Sequence, residues 1–213
     1  LNNKNTIRLP QQYNVKLAEL FGILLGDGSV TRYYTKVYLN LAADKGYAPF
    51  VQKIFKKLFK GAFVSSTPRP ARGTEEVQIS SRDVSEYLLK IGFEPRKRTI
   101  PGWIKQNKNF VKATIRGLFD TEGSVGIKYF EGKNGKYFYK QLTFTNKNKN
   151  ILGFIEEELC KMEYSATKNS RKNIYISNER DINRYFREIG SSNPKLTKKL
   201  KSRVIDRYRY KKK

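Results

Sequence analysis

The sequence contains an internal repeat, and this repeat constrains the fold more than any other feature. The run RDVSEYLLKIG at 82–92 returns as RDINRYFREIG at 180–190. A second pair, GILLGDGSV at 22–30 and GLFDTEGSV at 117–125, lies upstream of the first pair in each copy. Because the two matches keep the same order and nearly the same separation, the chain is predicted to contain two copies of one structural unit.

The repeat also sets the predicted boundaries of the two units. We expect a first half over residues 1–100 and a second half over 101–205, joined near Pro101 and Gly102, where two helix breakers are adjacent. Residues 206–213 read DRYRYKKK and are predicted to form a solvated basic tail.

Each half has the pattern of a helix, two strands, a helix, two strands and a helix, which indicates the α+β class. Residues 15–25 are apolar enough for a buried helix, and Val37, Leu39 and Leu41 alternate with polar residues as in a half-buried strand. A hairpin loop is expected over residues 67–74, which read TPRPARGT.

Composition restricts both the partner and the chemistry. The 213 residues include 44 Lys and Arg against 19 Asp and Glu, a formal net charge of +25 that favours a polyanionic partner such as nucleic acid. The chain has no His and a single Cys, Cys160, so histidine-based catalysis, zinc fingers and disulfide scaffolds are excluded. We therefore expect a protein that is intracellular and not membrane-bound, with any catalysis depending on carboxylates, lysines, hydroxyls or an oxygen-ligated metal.

The upstream repeat carries two acids in an unusual position. Asp27 and Glu122 each stand at the predicted end of a helix, before Gly28 and Gly123. A carboxylate there faces the negative end of the helix dipole, which costs about 0.3–1 kcal/mol. The plain alternative is two solvated acids on ordinary amphipathic helices, but repetition in a chain this basic favours a bound cation.

The same two helices carry small residues four positions apart. Gly22 and Gly26 in the first copy correspond to Gly117 and Thr121 in the second, and such spacing lets two helices approach closely. If the helices pack along these faces, Asp27 and Glu122 meet. Oxygen ligands without His or Cys point to Mg²⁺ or a similar divalent ion.

These residues carry a resemblance to a known family. LFGILLGDG at 20–28 and IRGLFDTEG at 115–123 resemble the two motifs of a single-chain LAGLIDADG homing endonuclease, and the similarity spans about residues 15–205. The resemblance implies a tandem pseudo-twofold repeat of αββαββα units, with the motif helices at the interface and two antiparallel sheets forming a saddle over double-stranded DNA. It also implies that Asp27 and Glu122 bind Mg²⁺ or another divalent cation such as Mn²⁺, with the Gly26 and Thr121 carbonyls as further ligands.

The family resemblance further implies polar and basic residues near the metals. In the second half Asn146 and Lys147 fit these roles at the end of a strand, whereas the corresponding first-half positions hold Ala43 and Asp44. We therefore expect unequal cleavage of the two strands. A further lysine of the site is predicted at Lys97, with Lys195 as its weaker counterpart.

The polar strand faces and loops predict the DNA-binding residues. Such side chains can contact base edges in the major groove or the phosphates beside it. The predicted set is Thr31, Tyr33, Tyr38, Asn40, Arg69, Arg72, Gln78, Ser80, Lys128, Lys136, Tyr137, Tyr139, Gln141, Thr143, Tyr175 and Ser177.

The sequence leaves other functions open. A protein with this fold could be an RNA maturase that assists splicing of intron RNA, or a non-catalytic DNA- or RNA-binding regulator. A ribosomal-type RNA binder fits the charge but not the repeat. The favoured prediction is an intron-encoded, monomeric, metal-dependent endonuclease in a prokaryotic cytoplasm or an organelle matrix, which cuts both strands of a long, loosely palindromic target.

Overall fold

The computed structural model describes residues 6–132, 135–170 and 172–202, and the predicted tail at 206–213 lies outside the described residues. The helices are α1 (Val15–Asp27), α2 (Ala48–Leu58), α3 (Arg82–Lys90), α4 (Gly102–Lys105), α5 (Lys108–Glu122), α6 (Lys149–Lys161), α7 (Glu179–Glu188) and α8 (Pro194–Lys201). The strands are β1 (Gly28–Val30), β2 (Thr35–Asn40), β3 (Val64–Arg69), β4 (Thr74–Ile79), β5 (Gly123–Gly132), β6 (Gly135–Thr145), β7 (Ala166–Ser170) and β8 (Asn173–Ile176).

The strands form two antiparallel sheets of four, ordered β1-β2-β4-β3 and β5-β6-β8-β7. This equal order establishes the α+β class and the tandem αββαββα arrangement expected from the repeat. Buried apolar side chains of the helices and of the inner sheet faces form one continuous core. In the described part of the chain, no helix has both the length and the apolar character that crossing a bilayer requires.

Asparagine and serine side chains cap the N-termini of most of the long helices. The Asn14 side chain accepts from the Leu17 amide at 3.0 Å, which caps α1, and Asn107 caps α5 in the same way through the Asn109 amide at 2.9 Å. Each cap satisfies an amide that the first turn leaves without a partner. The two helices that carry the predicted acids therefore start at defined points.

The junction between the halves is a packed helix rather than an open linker. Trp103 of α4 lies edge-on to Phe21 of α1, with ring centroids 5.6 Å apart, and its indole nitrogen donates to the Ile91 carbonyl at 2.9 Å. Pro101 is the N-cap of α4. The two breakers at the predicted junction thus set the start of a helix that packs against the first half.

The hairpin loop expected over residues 67–74 is shorter in the structure. Residues 67–69 belong to β3, and only a short 3-10 turn at Pro70–Arg72 and Gly73 separate it from β4. Gly73 has φ +61, a left-handed conformation that glycine adopts without strain. The Pro and Arg content of the segment suggested a longer loop because neither residue favours the interior of a strand.

Candidate active site

Helices α1 and α5 pack against each other through their small residues. A Cβ atom on Gly22 would lie 2.2 Å from the Thr114 carbonyl oxygen, and one on Gly117 would lie 2.3 Å from the Glu19 carbonyl oxygen. At the end of the interface, a Cβ on Gly26 would lie 2.1 Å from the Thr121 hydroxyl oxygen. The structure thus brings these four predicted interface positions together, at a backbone distance that larger residues would not allow.

The two helices end side by side with an acid as the last residue of each. Asp27 ends α1 and Glu122 ends α5. The glycines that follow are extended, with φ −96 at Gly28 and φ −90 at Gly123, rather than in the left-handed conformation common after a helix. The chain passes directly into β1 and β5 there, and a Cβ on Gly28 would lie 2.4 Å from the Leu24 Cα.

The two acids affect each other electrostatically. Burial, the Glu122 carboxylate and the Asp44 carboxylate raise the pKa of Asp27 from 3.8 to about 7, against the opposing effect of Arg98 and Lys195. Burial also raises the pKa of Glu122, and Arg98 lowers it. Two partly buried carboxylates that repel each other form a site that a cation would stabilise.

Arg98 supplies a positive charge at this position. Its Nη1 donates to the carbonyl oxygens of Leu25 at 2.9 Å and of Gly26 at 2.8 Å, and its Nη2 lies 3.4 Å from the Gly28 carbonyl oxygen. A guanidinium that caps the last carbonyls of a helix also interacts favourably with the helix dipole. One of the two carbonyls predicted as metal ligands, that of Gly26, is therefore already a hydrogen-bond acceptor.

The lysine predicted for this site, Lys97, lies next to Arg98 in the chain, but its side chain is at the surface. The Lys97 side chain is 75 % exposed, and its Nζ lies 3.9 Å from Glu94. Arg98, the residue after Lys97, has φ +49, and it is the Arg98 guanidinium that reaches the last carbonyls of α1. Arg98 was missed because two adjacent basic residues look equivalent in the sequence, and only the backbone turn distinguishes them.

On the Glu122 side, one of the predicted polar residues contacts the acid. The Asn146 Nδ2 donates to Glu122 Oε1 at 3.2 Å, and the buried Asn146 is fixed by its backbone amide, which donates to the Lys172 carbonyl at 2.9 Å. Lys147, the next residue, is exposed. The structure thus places Asn146 at the acid and Lys147 at the surface beside it.

On the Asp27 side, the strand correspondence drawn from the sequence is wrong. Val37 pairs with Gly28 as Phe144 pairs with Gly123, so the register equivalent of Asn146 is Leu39 and not Ala43. The apolar alternation continues to Leu41, but β2 ends at Asn40 and a turn follows. That turn is longer than its counterpart after β6.

The turn after β2 nevertheless brings Asp44 to the site. Asp44 is buried and accepts from Lys195 Nζ at 2.6 Å and from Asn193 Nδ2 at 3.1 Å, while Ala43 is exposed. Lys195, predicted as the counterpart of Lys97, is thereby paired with an acid of the other half. The two sides of the site differ: an amide contacts Glu122, whereas an acid and its lysine lie near Asp27.

A buried polar network behind Asp27 and Glu122 was not predicted. Asp120 accepts from Tyr47 Oη at 3.2 Å and from Ser191 Oγ at 2.5 Å, and burial raises its pKa to about 7. Asn193 Nδ2 donates to the Asp120 carbonyl at 2.9 Å. This bond occupies the same place on α5 as the Arg98 bond to the Leu25 carbonyl on α1. The sequence did carry one signal of this network: the motif position that holds the apolar Leu25 in the first copy holds an acid, Asp120, in the second.

The outer face of the first sheet carries polar side chains around a buried acid. Tyr38 and Asn40 lie opposite the buried Val37 and Leu39, as their alternation indicates. Cross-strand from Tyr38, Glu76 is only 5 % exposed because cationic side chains cover it. The distances to its carboxylate are 3.2 Å from Lys36 Nζ, 3.6 Å from Arg69 Nε and 4.0 Å from Arg72 Nη1.

A hydrogen bond from Lys36, together with the charges of Lys36, Arg69 and Arg72, lowers the pKa of Glu76. Neither Lys36 nor Glu76 was in the predicted set, although the alternation placed Lys36 on this face.

The remaining predicted DNA-binding residues of the first half lie in the β1–β2 turn and at the C-terminal end of β4. Tyr33 is exposed at the tip of the β1–β2 hairpin, while the Thr31 hydroxyl is engaged in that turn by the Tyr34 carbonyl at 3.2 Å. Gln78 donates to Ser80 through their side chains at 2.5 Å. Tyr33 is therefore exposed, whereas the side chains of Thr31, Gln78 and Ser80 hydrogen-bond within the chain.

The outer face of the second sheet is built in the same way. Cross-strand pairs place Lys128 with Tyr139 and Thr143 with Tyr175, on the face opposite the buried Val125 and Leu142. Gln141 Nε2 donates to Ser177 Oγ at 2.9 Å. Lys136 and Tyr137 belong to β6, but their side chains lie outside the described residues.

Comparison with known proteins agrees with this architecture. The profile of the family described as LAGLIDADG-like domain matches residues 109–190. The fold is similar to that of I-DmoI in complex with DNA and Mn, with a TM-score of 0.57 at 20% identity over 84% of this chain and 99% of that one. It is also similar to that of the meganuclease I-SmaMI bound to uncleavable DNA, with a TM-score of 0.60 at 11% identity over 88% of each chain.

A sequence relative is the replication factor C small subunit of Methanocaldococcus jannaschii, which is 25% identical over 201 residues. The match covers 91% of this chain but only 10% of that protein, so the two share one segment and not a whole architecture. The profile match lies in the second half of the chain, and the chain as a whole has the fold of the homing endonucleases I-DmoI and I-SmaMI.

Proposed function

We propose that this protein is a site-specific endonuclease that hydrolyses one phosphodiester bond in each strand of a long, loosely palindromic double-stranded DNA target. The observation that carries the proposal is the convergence of Asp27 and Glu122 at the ends of two packed helices. The polar and basic outer faces of two sheets flank this point, in a chain with a net charge of +25. Such surfaces suit the phosphates and major-groove edges of a duplex.

We assign a divalent cation, Mg²⁺ or Mn²⁺, to Asp27 and Glu122. The donor set fits, because hard oxygen ligands suit these ions and Mg²⁺ commonly takes only one or two carboxylates besides water and phosphate. Within residues 6–132, 135–170 and 172–202, three or more acidic or cysteine side chains do not gather into a metal-binding group. The carbonyls of Gly26 and Thr121 are further candidate ligands. Structures of I-DmoI with DNA and Mn, and with DNA and Ca, support the use of a divalent ion.

When bound, a divalent cation would polarise the scissile phosphate and lower the pKa of an attacking water. The chain's own groups then supply position and charge. Asn146, held at Glu122, can orient a water by hydrogen bonding. Arg98 keeps a positive charge beside both acids, where negative charge develops on the phosphate. Lys147 and Lys195 are the nearby lysines proposed to neutralise phosphate oxygens, and Lys195 must first be released from Asp44.

We further propose that one chain is sufficient for activity, because the two acids come from the two halves of the same polypeptide. We also propose an intracellular site of action, in a cytoplasm or an organelle matrix, and an intron-borne gene. A role as an RNA maturase on intron RNA is the alternative, and it would need neither acid.

The proposal is tested by selection from a library of randomised DNA duplexes. With Mg²⁺, the protein is expected to release a narrow set of cut sequences. Addition of EDTA should prevent cutting. In a separate sample, replacement of Mg²⁺ by Ca²⁺ should leave DNA binding intact. The same protein should be tested for splicing of a structured intron RNA. Sequence-selective binding with no Mg²⁺-dependent cutting by the intact chain would contradict the proposal and favour a regulator or a maturase.

A further inference from the structure

The two hairpins that start at the active-site acids have very different lengths. The β1–β2 ladder begins at the pair Gly28–Val37 and ends at Val30–Thr35, so β1 has 3 residues. The β5–β6 ladder begins at the equivalent pair Gly123–Phe144 and continues to Gly132–Gly135, so β5 has 10 residues. Because both start beside the same point and run outward, the second hairpin extends seven residue pairs farther.

Burial of the core does not account for this extension. Val125 and Leu142 are buried, but farther along the ribbon Ile127 is 49% exposed and Phe130 is 62% exposed. These two residues lie on opposite faces of the strand. On the core-side face of the ribbon, α8 contacts β5 and Lys140 Nζ donates to the Leu200 carbonyl, whereas Phe130 on the outer face stays exposed. Among the described residues, intramolecular packing thus covers part of the inner face only, and the outer face is the surface that the extension presents to a partner.

The exposed ribbon continues the face that we assign to DNA. Cross-strand pairing places Lys128 with Tyr139, and Gly126 with Gln141, on the same face as Thr143 near the acids. The major groove of B-DNA accepts a two-stranded ribbon, and lysine, tyrosine and glutamine can contact phosphates and base edges there. In the first half the corresponding path ends early, because the Thr31 amide donates to the Tyr34 carbonyl at 2.9 Å and closes the turn.

We propose that the DNA target is unequal in length about its centre, with the longer arm read by the β5–β6 ribbon. Seven residue pairs at about 3.3 Å each span about 23 Å. This length corresponds to about seven base pairs along a straight path and about four along the winding floor of the groove. This inference rests on the proposed function, since it assigns the sheet face to DNA, but it concerns the extent of the target and not its cleavage.

The test is a binding selection in Ca²⁺ from randomised duplexes, which needs no cleavage. Lys36 and Thr143 occupy equivalent register positions, opposite Ser29 and Ser124, so the base positions that respond to Lys36→Ala and Thr143→Ala define the centre of the target. From that centre, the specified positions should extend about four to seven base pairs farther on the Thr143 side. Equal extents on the two sides, or no preference at any position, would overturn the inference.

Two variants assign the longer arm. Lys128→Ala combined with Tyr139→Ala should abolish selection only at the outer positions of the long arm, whereas Tyr33→Ala, at the tip of the short hairpin, should act closer to the centre on the other side. Replacement of residues 127–140 by a two-residue turn should make the two arms equal. If the shortened chain does not fold, the point variants alone decide the outcome. An unequal profile from a protein that does not cut would contradict the endonuclease proposal and support this one.

Discussion

The guanidinium of Arg98 donates to the Gly26 carbonyl at 2.8 Å, one residue before the acid that ends α1. This bond connects the loop after α3 to the centre of the site and brings a fixed positive charge to both Asp27 and Glu122. It also means that the end of α1 is stabilised by an arginine from its own half, whereas the end of α5 is held by the neutral amide of Asn193.

Replacement of this arginine should lower cleavage more than binding. Arg98→Met removes a charge from beside the reacting phosphate, so we expect the cleavage rate to fall by about 10²–10³-fold, as for the loss of one fixed electrostatic donor. The matched control is Lys97→Met, which removes the same charge from an exposed neighbour and should leave the rate within a few-fold of the wild type. The rates are measured by single-turnover cleavage at saturating protein. Equal effects of the two variants would contradict the role of Arg98.

The contact between the motif helices is tested by adding one methyl group. In Gly117→Ala the new Cβ would lie 2.3 Å from the Glu19 carbonyl oxygen, so the helices must separate, and we expect a loss of about 2–4 kcal/mol in the free energy of unfolding. Gly153→Ala in α6 is the control, since its Cβ would have no heavy atom within 4 Å. That change should be neutral or stabilising by up to about 1 kcal/mol. Urea unfolding measures both, and similar values for the two would disprove close packing.

The raised pKa of Asp27 predicts a pH-dependent cost to stability. The folded protein binds the Asp27 proton more tightly than the unfolded chain, so stability falls as pH rises from about 4 to about 7 and stays at the lower level above that. Asp27→Asn removes this cost. We expect the Tm of the metal-free variant to equal that of the wild type near pH 4 and to exceed it by several degrees near pH 8.

Mg²⁺ should reduce the difference in Tm between Asp27→Asn and the wild type at high pH, because it binds the ionised pair only in the wild type. The measurement is thermal unfolding at a series of pH values with and without Mg²⁺. A difference in Tm that does not change with pH would show that Asp27 is not desolvated beside another carboxylate.

The unlike surroundings of Asp27 and Glu122 predict unequal cutting of the two strands. Asp44 adds a negative charge near Asp27 and holds Lys195 Nζ at 2.6 Å, whereas Asn146 is neutral. A nicked intermediate should therefore accumulate. Asp44→Asn should release Lys195 and bring the two rates closer together. Asp83→Asn, at an exposed position in the first turn of α3, controls for the loss of one negative charge. Equal rates in the wild type would contradict the prediction.

The repeat predicted the overall architecture because two copies of one unit must each bury the same apolar positions. It also located Asp27 and Glu122, because an acid before a glycine in both copies marks the end of a helix whatever the surrounding loops do. The repeat could not predict which loop side chains reach the site, because these depend on the local backbone conformation of each loop. Loop conformation decides which of the adjacent side chains of Lys97 and Arg98 reaches the end of α1, and the turn after β2 decides where Asp44 lies.

Strand register was the other weak point. The alternation of Val37, Leu39 and Leu41 suggested a strand that continues past its true end, because apolar residues after a strand can be buried by a turn as well as by a sheet. The buried network around Asp120 was not visible for a similar reason. Its members, Tyr47, Ser191 and Asn193, are far apart in the sequence and meet only when the two halves pack together.

The central claim is that one acid from each half acts at a shared point to cut DNA. The most direct measurement is cleavage of a plasmid that carries the selected target, by the wild type and by the double variant Asp27→Asn, Glu122→Gln, in Mg²⁺ with binding followed in parallel. The account predicts linear product from the wild type. The double variant should cut neither strand, while its Kd for the target stays within about tenfold of the wild-type Kd. Linear product formed by the double variant at the wild-type rate would contradict it.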